Sequence, residues 1–457
     1  MTSSVAVGSA EGLSVKTSMS KEDRRRVVEK LKWRDNWTNF YYLAQVYAVL
    51  IATAVLTIWS YGLVADAGLS WWWNIPATIV AVIIMGGTQH QFGGVVHEGT
   101  HHILFKNRVL NEAVSDWLAA FPIFTTTYTF RLHHLAHHQF VNDPARDPNF
   151  EMAKDGGHWL DFPVEHMELL FGILRMIWFP NTFRYLMARL KQSSLGGSES
   201  HPYADRVRKG SSWPMRIGVI YTIVTPFLIF PFQLQKMYLA AGLVLVGLTA
   251  ACVIYYLLTP DSGFQQSRLN PTISHRVTQI SRTIYMGIVY GLLTFAEFAT
   301  GQPTWIYFLV LWILPLFTTF PAFMVLREWL QHGNADRGRY TNSRIMLFNP
   351  LLRYAVMPWG MDYHLPHHIV ATVPHYNIRK LHDFLLKTDA KYADNVQVVN
   401  GWSHHDKSGN PTIVDVLGPE YEPHSEDIHI ASEALEYSEI NDPKGIAEEE
   451  EASRHNH

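Results

Sequence analysis

Three clusters of histidine hold the side chains best suited to chemistry in this chain: His97-Glu98-Gly99-Thr100-His101-His102, His133-His134-Leu135-Ala136-His137-His138 and His364-Leu365-Pro366-His367-His368. On an α-helix, residues three and four apart share a face. His97 and His101 are four apart, while His134, His137 and His138, like His364, His367 and His368, stand at i, i+3 and i+4. If helical, each cluster aims two or three imidazoles at one point, eight nitrogens in all. Neutral imidazole is the commonest metal ligand. One zinc takes about four ligands, so eight nitrogens suggest two metals. Imidazole suits iron, zinc, copper and nickel alike, and ligand type alone does not choose among them. A single histidine among the 24 in the chain is ordinarily structural or solvated; the repeated helical spacing is what carries the metal reading.

Composition says where such a centre would sit. The 457 residues are 48% hydrophobic and 17% charged, below the roughly 25% charged content of an average soluble domain. The net charge of -3 gives no basic field for nucleic acid. Cys252 is the single cysteine, which rules out an internal disulfide or a cysteine-held iron–sulfur cluster. The polar, serine-rich start, residues 1–20, reads as disordered and lacks the apolar core of a cleaved signal peptide.

Six apolar runs must position the clusters. Residues 41–64 carry no charge and are long enough to cross roughly 30 Å of hydrocarbon. Trp71, Trp72 and Trp73 resemble an interfacial aromatic belt before a second run, 72–95, which leads into the first cluster. Residues 165–182 are apolar but interrupted by Glu165, Glu168 and Arg175, and read as one interfacial helix. Runs 214–232 and 237–259 form one hairpin, 283–300 and 304–326 another; Glu297 makes 283–300 the least regular of them. With the N-terminus cytoplasmic, six spans put the basic segments 21–37, 184–209 and 268–282 on one side, as the positive-inside rule requires. The three histidine clusters land on that side too. Four spans, with one hairpin only interfacial, satisfy the same constraints. The chain therefore divides into a basic juxtamembrane segment, 1–40, a membrane domain, 41–417, and an acidic tail, 418–457, that reads as disordered.

The clusters resemble the histidine boxes of the membrane-bound fatty acid desaturase/hydroxylase superfamily over about residues 40–385. Box one is His97-Glu98-Gly99-Thr100-His101. Box two is Arg131-Leu132-His133-His134-Leu135-Ala136-His137-His138, followed by Asn142-Asp143-Pro144 and Asp147-Pro148. Box three is Tyr363-His364-Leu365-Pro366-His367-His368, followed by Val373-Pro374-His375-Tyr376-Asn377. The resemblance implies an all-α, polytopic membrane fold with a cytoplasmic helical cap holding two ferrous ions. It implies His97, His101, His134, His137, His138, His364, His367 and His368 as ligands, and His332, at the end of a late span, as a further one. Relatives with one more residue in box one would use His102 in place of His101, and His101 is preferred here. Some relatives carry an asparagine, bound through water, where this chain has Glu328. His90 and His133 lie outside the pattern.

Ligating histidines are oriented by partners on their other ring nitrogen. Glu98, Asp143, Asp147, Glu328 and Asp362 are the nearby carboxylates able to serve, and Arg131 could pair with one of them. The resemblance implies an oxygen-dependent oxidase that removes two hydrogens from a fatty acyl chain to leave a double bond. A hydroxylase, ketolase or decarboxylase acting on a fatty or carotenoid chain would use the same ligands. A metal transporter is a more distant alternative; it predicts ionisable residues lining several spans, where the sequence offers little beyond Glu297. The chain has no dinucleotide-binding glycine pattern and no fused-cytochrome motif. Electrons are therefore expected from a separate ferredoxin, rubredoxin or cytochrome, for which the basic loop 184–209 is a candidate dock.

Overall fold

The computed structural model describes residues 19–191, 203, 205 and 210–422. The expected disordered ends lie almost wholly outside these residues, as do Arg206, Arg208 and Lys209 of the basic loop. Six helices among the described residues are long and apolar enough to span a membrane: Thr38–Asp66, Trp71–Thr100, Trp213–Leu234, Tyr238–Leu258, His275–Thr300 and Thr304–His332. Large apolar side chains such as Phe227, Leu239 and Leu258 stand exposed on them, as expected of a surface bathed in lipid. The three tryptophans before the second span are also exposed.

Lipid is as apolar as leucine, so helices in it associate through close packing and small residues rather than through escape from water. The second span shows this best. It is buried from Met85 almost continuously to Thr100, and its glycines are where neighbours press closest. A Cβ on Gly86 would lie 2.0 Å from Thr319 Oγ1 of the sixth span, and one on Gly99 would lie 2.3 Å from Ser115 Oγ. The sixth span is interrupted by a π-turn at Leu309–Ile313 and by Pro315, then restarts at Thr319. Proline lacks the amide hydrogen that the helix ladder needs. Spans three, four and five form a separate cluster around Tyr221, Leu245, Cys252, Met286 and Tyr290.

Two expectations change here. The fifth span begins at His275 rather than near residue 283, so Arg282 lies inside it. Arg282 is tolerated because it packs over Gly218 and donates to Gln279 Oε1 at 2.8 Å and to the Met215 carbonyl at 3.3 Å. The interfacial helix expected over 165–182 is two helices, His166–Met176 and Phe179–Arg189. The break falls at Trp178, the extended N-cap of the second helix; Pro180, in that helix's first turn, has no amide hydrogen to give the Met176 carbonyl, which the Thr182 hydroxyl takes instead.

Helices flanking the ends of spans two and six form a cap: Thr127–Gln139, Pro148–Asp155, the pair just described, Pro350–Val356, His364–Ile369 and His375–Thr388. Side chains fix several of their starts. Thr126 accepts the Thr129 amide, and Asp147 accepts the Asn149 amide with Pro148 at the first helical position, as N-caps do. Among the described residues the only strands are a short parallel pair, Ile345–Leu347 with Val398–Asn400.

Candidate metal centre

Each box reaches the centre by a different local device. His97 and His101 occupy the last turn of span two, where the helix ends at His101. His102 takes a left-handed backbone (φ 55°) that turns the chain away, which leaves it outside the cluster and His101 inside. Helix Thr127–Gln139 carries His134, His137 and His138 on one side. His332 is the last helical residue of span six, and the short helix His364–Ile369 presents His364, His367 and His368.

The nine imidazoles meet as two buried groups. His97, His101, His134, His138 and His367 form one, and His137, His332, His364 and His368 the other; within each, the facing atoms lie within 4.8 Å of one another. In the first group, Nε2 of His138 is 3.0 Å from Nε2 of His134 and 3.1 Å from that of His367, which is 3.0 Å from Nε2 of His97. In the second, Nε2 of His364 lies 3.0 Å from that of His332 and 3.1 Å from that of His368. The groups adjoin, with the His138 and His368 rings stacked at 4.3 Å.

This donor set fits metal. A ring N–H points at one acceptor, so proton sharing does not account for a nitrogen facing two others. An ion held at roughly 2.0–2.1 Å by imidazole puts adjacent nitrogens about 3.0 Å apart when the bonds are at right angles. Both ring nitrogens of His101 are buried without a hydrogen-bond partner, as are Nδ1 of His97, His138 and His364. Burial holds His101, His134, His138, His364, His367 and His368 below the ordinary histidine range. That keeps them in the neutral form that ligates.

The supporting contacts correct part of the sequence expectation. Asp147 does meet a boxed histidine: its carboxylate accepts from His137 Nδ1 at 2.9 Å. Burial opposes charge on His137, but Asp147 outweighs it and holds this imidazole above its ordinary value. The other four carboxylates bond elsewhere. Glu98 accepts the backbone and ring N–H of His375, each at 3.1 Å. Asp143 is taken by Arg146 and Arg337, and Asp362 by Arg353. Glu328 accepts from Asn149 Nδ2 at 2.8 Å. At Asp143 and Asp362 a charged guanidinium competes better for the carboxylate than neutral imidazole does. Arg131 chooses none of the five; it pairs with Glu112 at 2.6 Å and donates to the Gly99 and Thr100 carbonyls. His332 is oriented by a backbone group, the Asn342 carbonyl at 2.9 Å.

His90 and His133 stay outside both groups, bonding the Ala355 carbonyl and Asn149 Oδ1. Sequence reasoning missed Glu112, Asn149 and Asn342, and gave His375, quoted after box three, no role. Only Asn149 carried a signal, being two residues past the Asp147 cap.

A bundle of apolar spans ending in buried histidine clusters defines the class: a helical membrane protein whose clusters are compatible with a metal site at the ends of its helices. A family model described as fatty acid desaturase matches residues 70–257 and 245–399, well over half of the chain, and the chain belongs to that family. It is also similar to a dihydrorhizobitoxine desaturase from Bradyrhizobium elkanii, 28% identical over 124 residues. That match covers 27% of this chain and 32% of the relative.

Proposed function

We propose that this protein is an oxygen-dependent oxidase that holds two irons and introduces a double bond into a fatty acyl chain. The observation that carries the reading is the meeting of nine buried imidazoles in two adjoining groups where membrane-spanning helices end. His97, His101, His134, His138 and His367 would hold one iron, and His137, His332, His364 and His368 the other. The irons, when bound, would supply the oxidant derived from dioxygen that removes hydrogen from an unactivated C–H bond.

The protein's own residues supply geometry and dryness. Asp147 fixes the tautomer of His137, directing its Nε2 inward, and the Asn342 carbonyl does the same for His332. Burial of the cluster excludes water that would divert an oxidant. An apolar cavity of about 540 Å³ opens between spans one, two, five and six, walled by Leu50, Phe92, Phe121, Leu293 and Trp312. It favours a hydrocarbon chain drawn from the bilayer as substrate. The positive-inside pattern favours a cytoplasmic centre with both termini on that side. Electrons would come from a separate ferredoxin, rubredoxin or cytochrome.

The test joins metal content to product identity. Protein purified in detergent should contain about two irons per chain. Supplied with dioxygen, a ferredoxin–reductase system and labelled acyl chains, it should yield a product lighter by two hydrogens by mass spectrometry. Zinc in place of iron, or a product heavier by one oxygen, would overturn the metal or the reaction respectively. Asp147→Asn should keep the fold but weaken metal retention about 10- to 100-fold, as loss of an orienting partner does. Competition with a graded chelator measures this; unchanged retention would show that Asp147 serves only as a helix cap.

A further inference from the structure

A second, smaller cavity touches the histidine centre directly. His97, His134, His137 and His364 form one wall, and Arg189, Arg327 and Glu328 stand among its other lining residues. Its volume is about 40 Å³, where a single water needs roughly 10–15 Å³ on the same measure. That is space for one small polar group, not for a chain.

Three charged side chains line it. Two guanidiniums face one carboxylate, and Glu328 already accepts from Asn149 at 2.8 Å. Arg327 Nη2 comes no closer than 3.9 Å to Glu328, beyond hydrogen-bond reach, and Nη1 meets only the Met361 sulfur at 3.8 Å. Arg327 Nε is buried without an acceptor. Arginine carries five N–H donors in a rigid fork shaped for carboxylate, and on this part-buried side chain, 18% exposed, the Glu328 pairing at 3.9 Å leaves the fork short of a hydrogen-bonding oxygen. Metal bound to the histidines would add to the positive potential. Met324 and Val325, one turn back on the helix that carries Arg327, supply an apolar flank.

We propose that this cavity is the recognition site for the carboxylate of the substrate, with Arg327 as its principal anchor. The proposal rests on the reading above that the histidine centre is catalytic, and it narrows the substrate class to free acids. Because the same cavity is walled by histidines of both groups, the C–H bond attacked lies near the carboxyl end of the molecule. Arg327 is in this reading a specificity residue.

The probes are hexanoate and hexanamide, which match in size and differ in charge. Equilibrium dialysis of labelled probe against the full-length protein in nanodiscs gives both affinities without turnover. A parallel chelator-stripped sample excludes direct coordination to metal. Hexanoate should bind about 10- to 100-fold more tightly than hexanamide, the range expected for charge-assisted hydrogen bonds. Arg327→Gln should abolish that preference, while Arg327→Lys should keep part of it, holding the charge but not the fork. Equal binding of acid and amide by the wild-type protein would overturn the proposal, and this comparison needs no variant to fold. So would an undiminished preference in Arg327→Gln, or competition by inorganic phosphate as effective as by hexanoate. Iron content and product analysis on the same preparation separate the two readings. If they stand while the acid shows no advantage, the carboxylate site alone falls.

Discussion

Replacing His138 with alanine should strip the protein of metal and of activity together. His138 sits where the boxes meet: its Nε2 faces those of His134 and His367 at 3.0 and 3.1 Å, and its ring stacks on His368 of the other group. Removing it takes a ligand from the five-histidine group and the ring support from a ligand in the four-histidine group. Loss of a mere orienting partner costs about 10- to 100-fold in metal affinity, so loss of this ligand should exceed that. We expect fewer than one iron per chain by elemental analysis and turnover below detection. The variant should still elute with the wild type in size exclusion, because the cap is also held by contacts that do not touch the imidazoles of the two groups, such as Thr126 at a helix start and the Glu112–Arg131 pair. Two irons retained in His138→Ala would remove the basis for the proposed ligand set.

The second large effect is expected far from any ligand atom. Glu112 and Arg131 are each 2% exposed and bonded through both carboxylate oxygens, at 2.6 and 3.2 Å. Arg131 also holds the Gly99 and Thr100 carbonyls, in the turn that carries His97 and His101. Removing one partner of a buried pair strands a charge and costs about 3–5 kcal/mol. Glu112→Ala should therefore lower the apparent melting temperature in detergent sharply, and it should also loosen metal through the displaced first box. The double variant Glu112→Gln with Arg131→Met leaves no charge stranded, so it should recover much of the stability. It should recover less of the metal, because the two carbonyls lose their donors. If Glu112→Ala melts with the wild type, the pair is not what locks the turn of box one.

The contrast between these residues marks what could be read from the chain alone. The boxed histidines were legible because helical geometry is local: i, i+3 and i+4 spacing puts side chains on one face whatever the rest of the fold does. The spans were legible for a similar reason, since crossing hydrocarbon demands a long uncharged run. The left-handed turn at His102, which leaves His101 as the inward member of box one, had no comparable mark in the sequence.

Carboxylate partners were much less legible. Glu98, Asp143, Glu328 and Asp362 all stand within five residues of a clustered histidine in sequence, yet they bond His375, two arginines, Asn149 and Arg353. Arg131 reaches 19 residues back to Glu112 rather than to any of them. Which donor wins a carboxylate depends on charge and on the geometry of helices brought together from distant parts of the chain. A membrane helical protein with three histidine boxes of desaturase type could be read before any folding was known, because those features rest on periodicity and run length. Tertiary structure decided how nine imidazoles divide into groups of five and four, which acids support them, and that Arg327 faces the same cavity as the histidines. Those outcomes depend on how the ends of spans two and six meet the cap helices, and no local pattern encodes that.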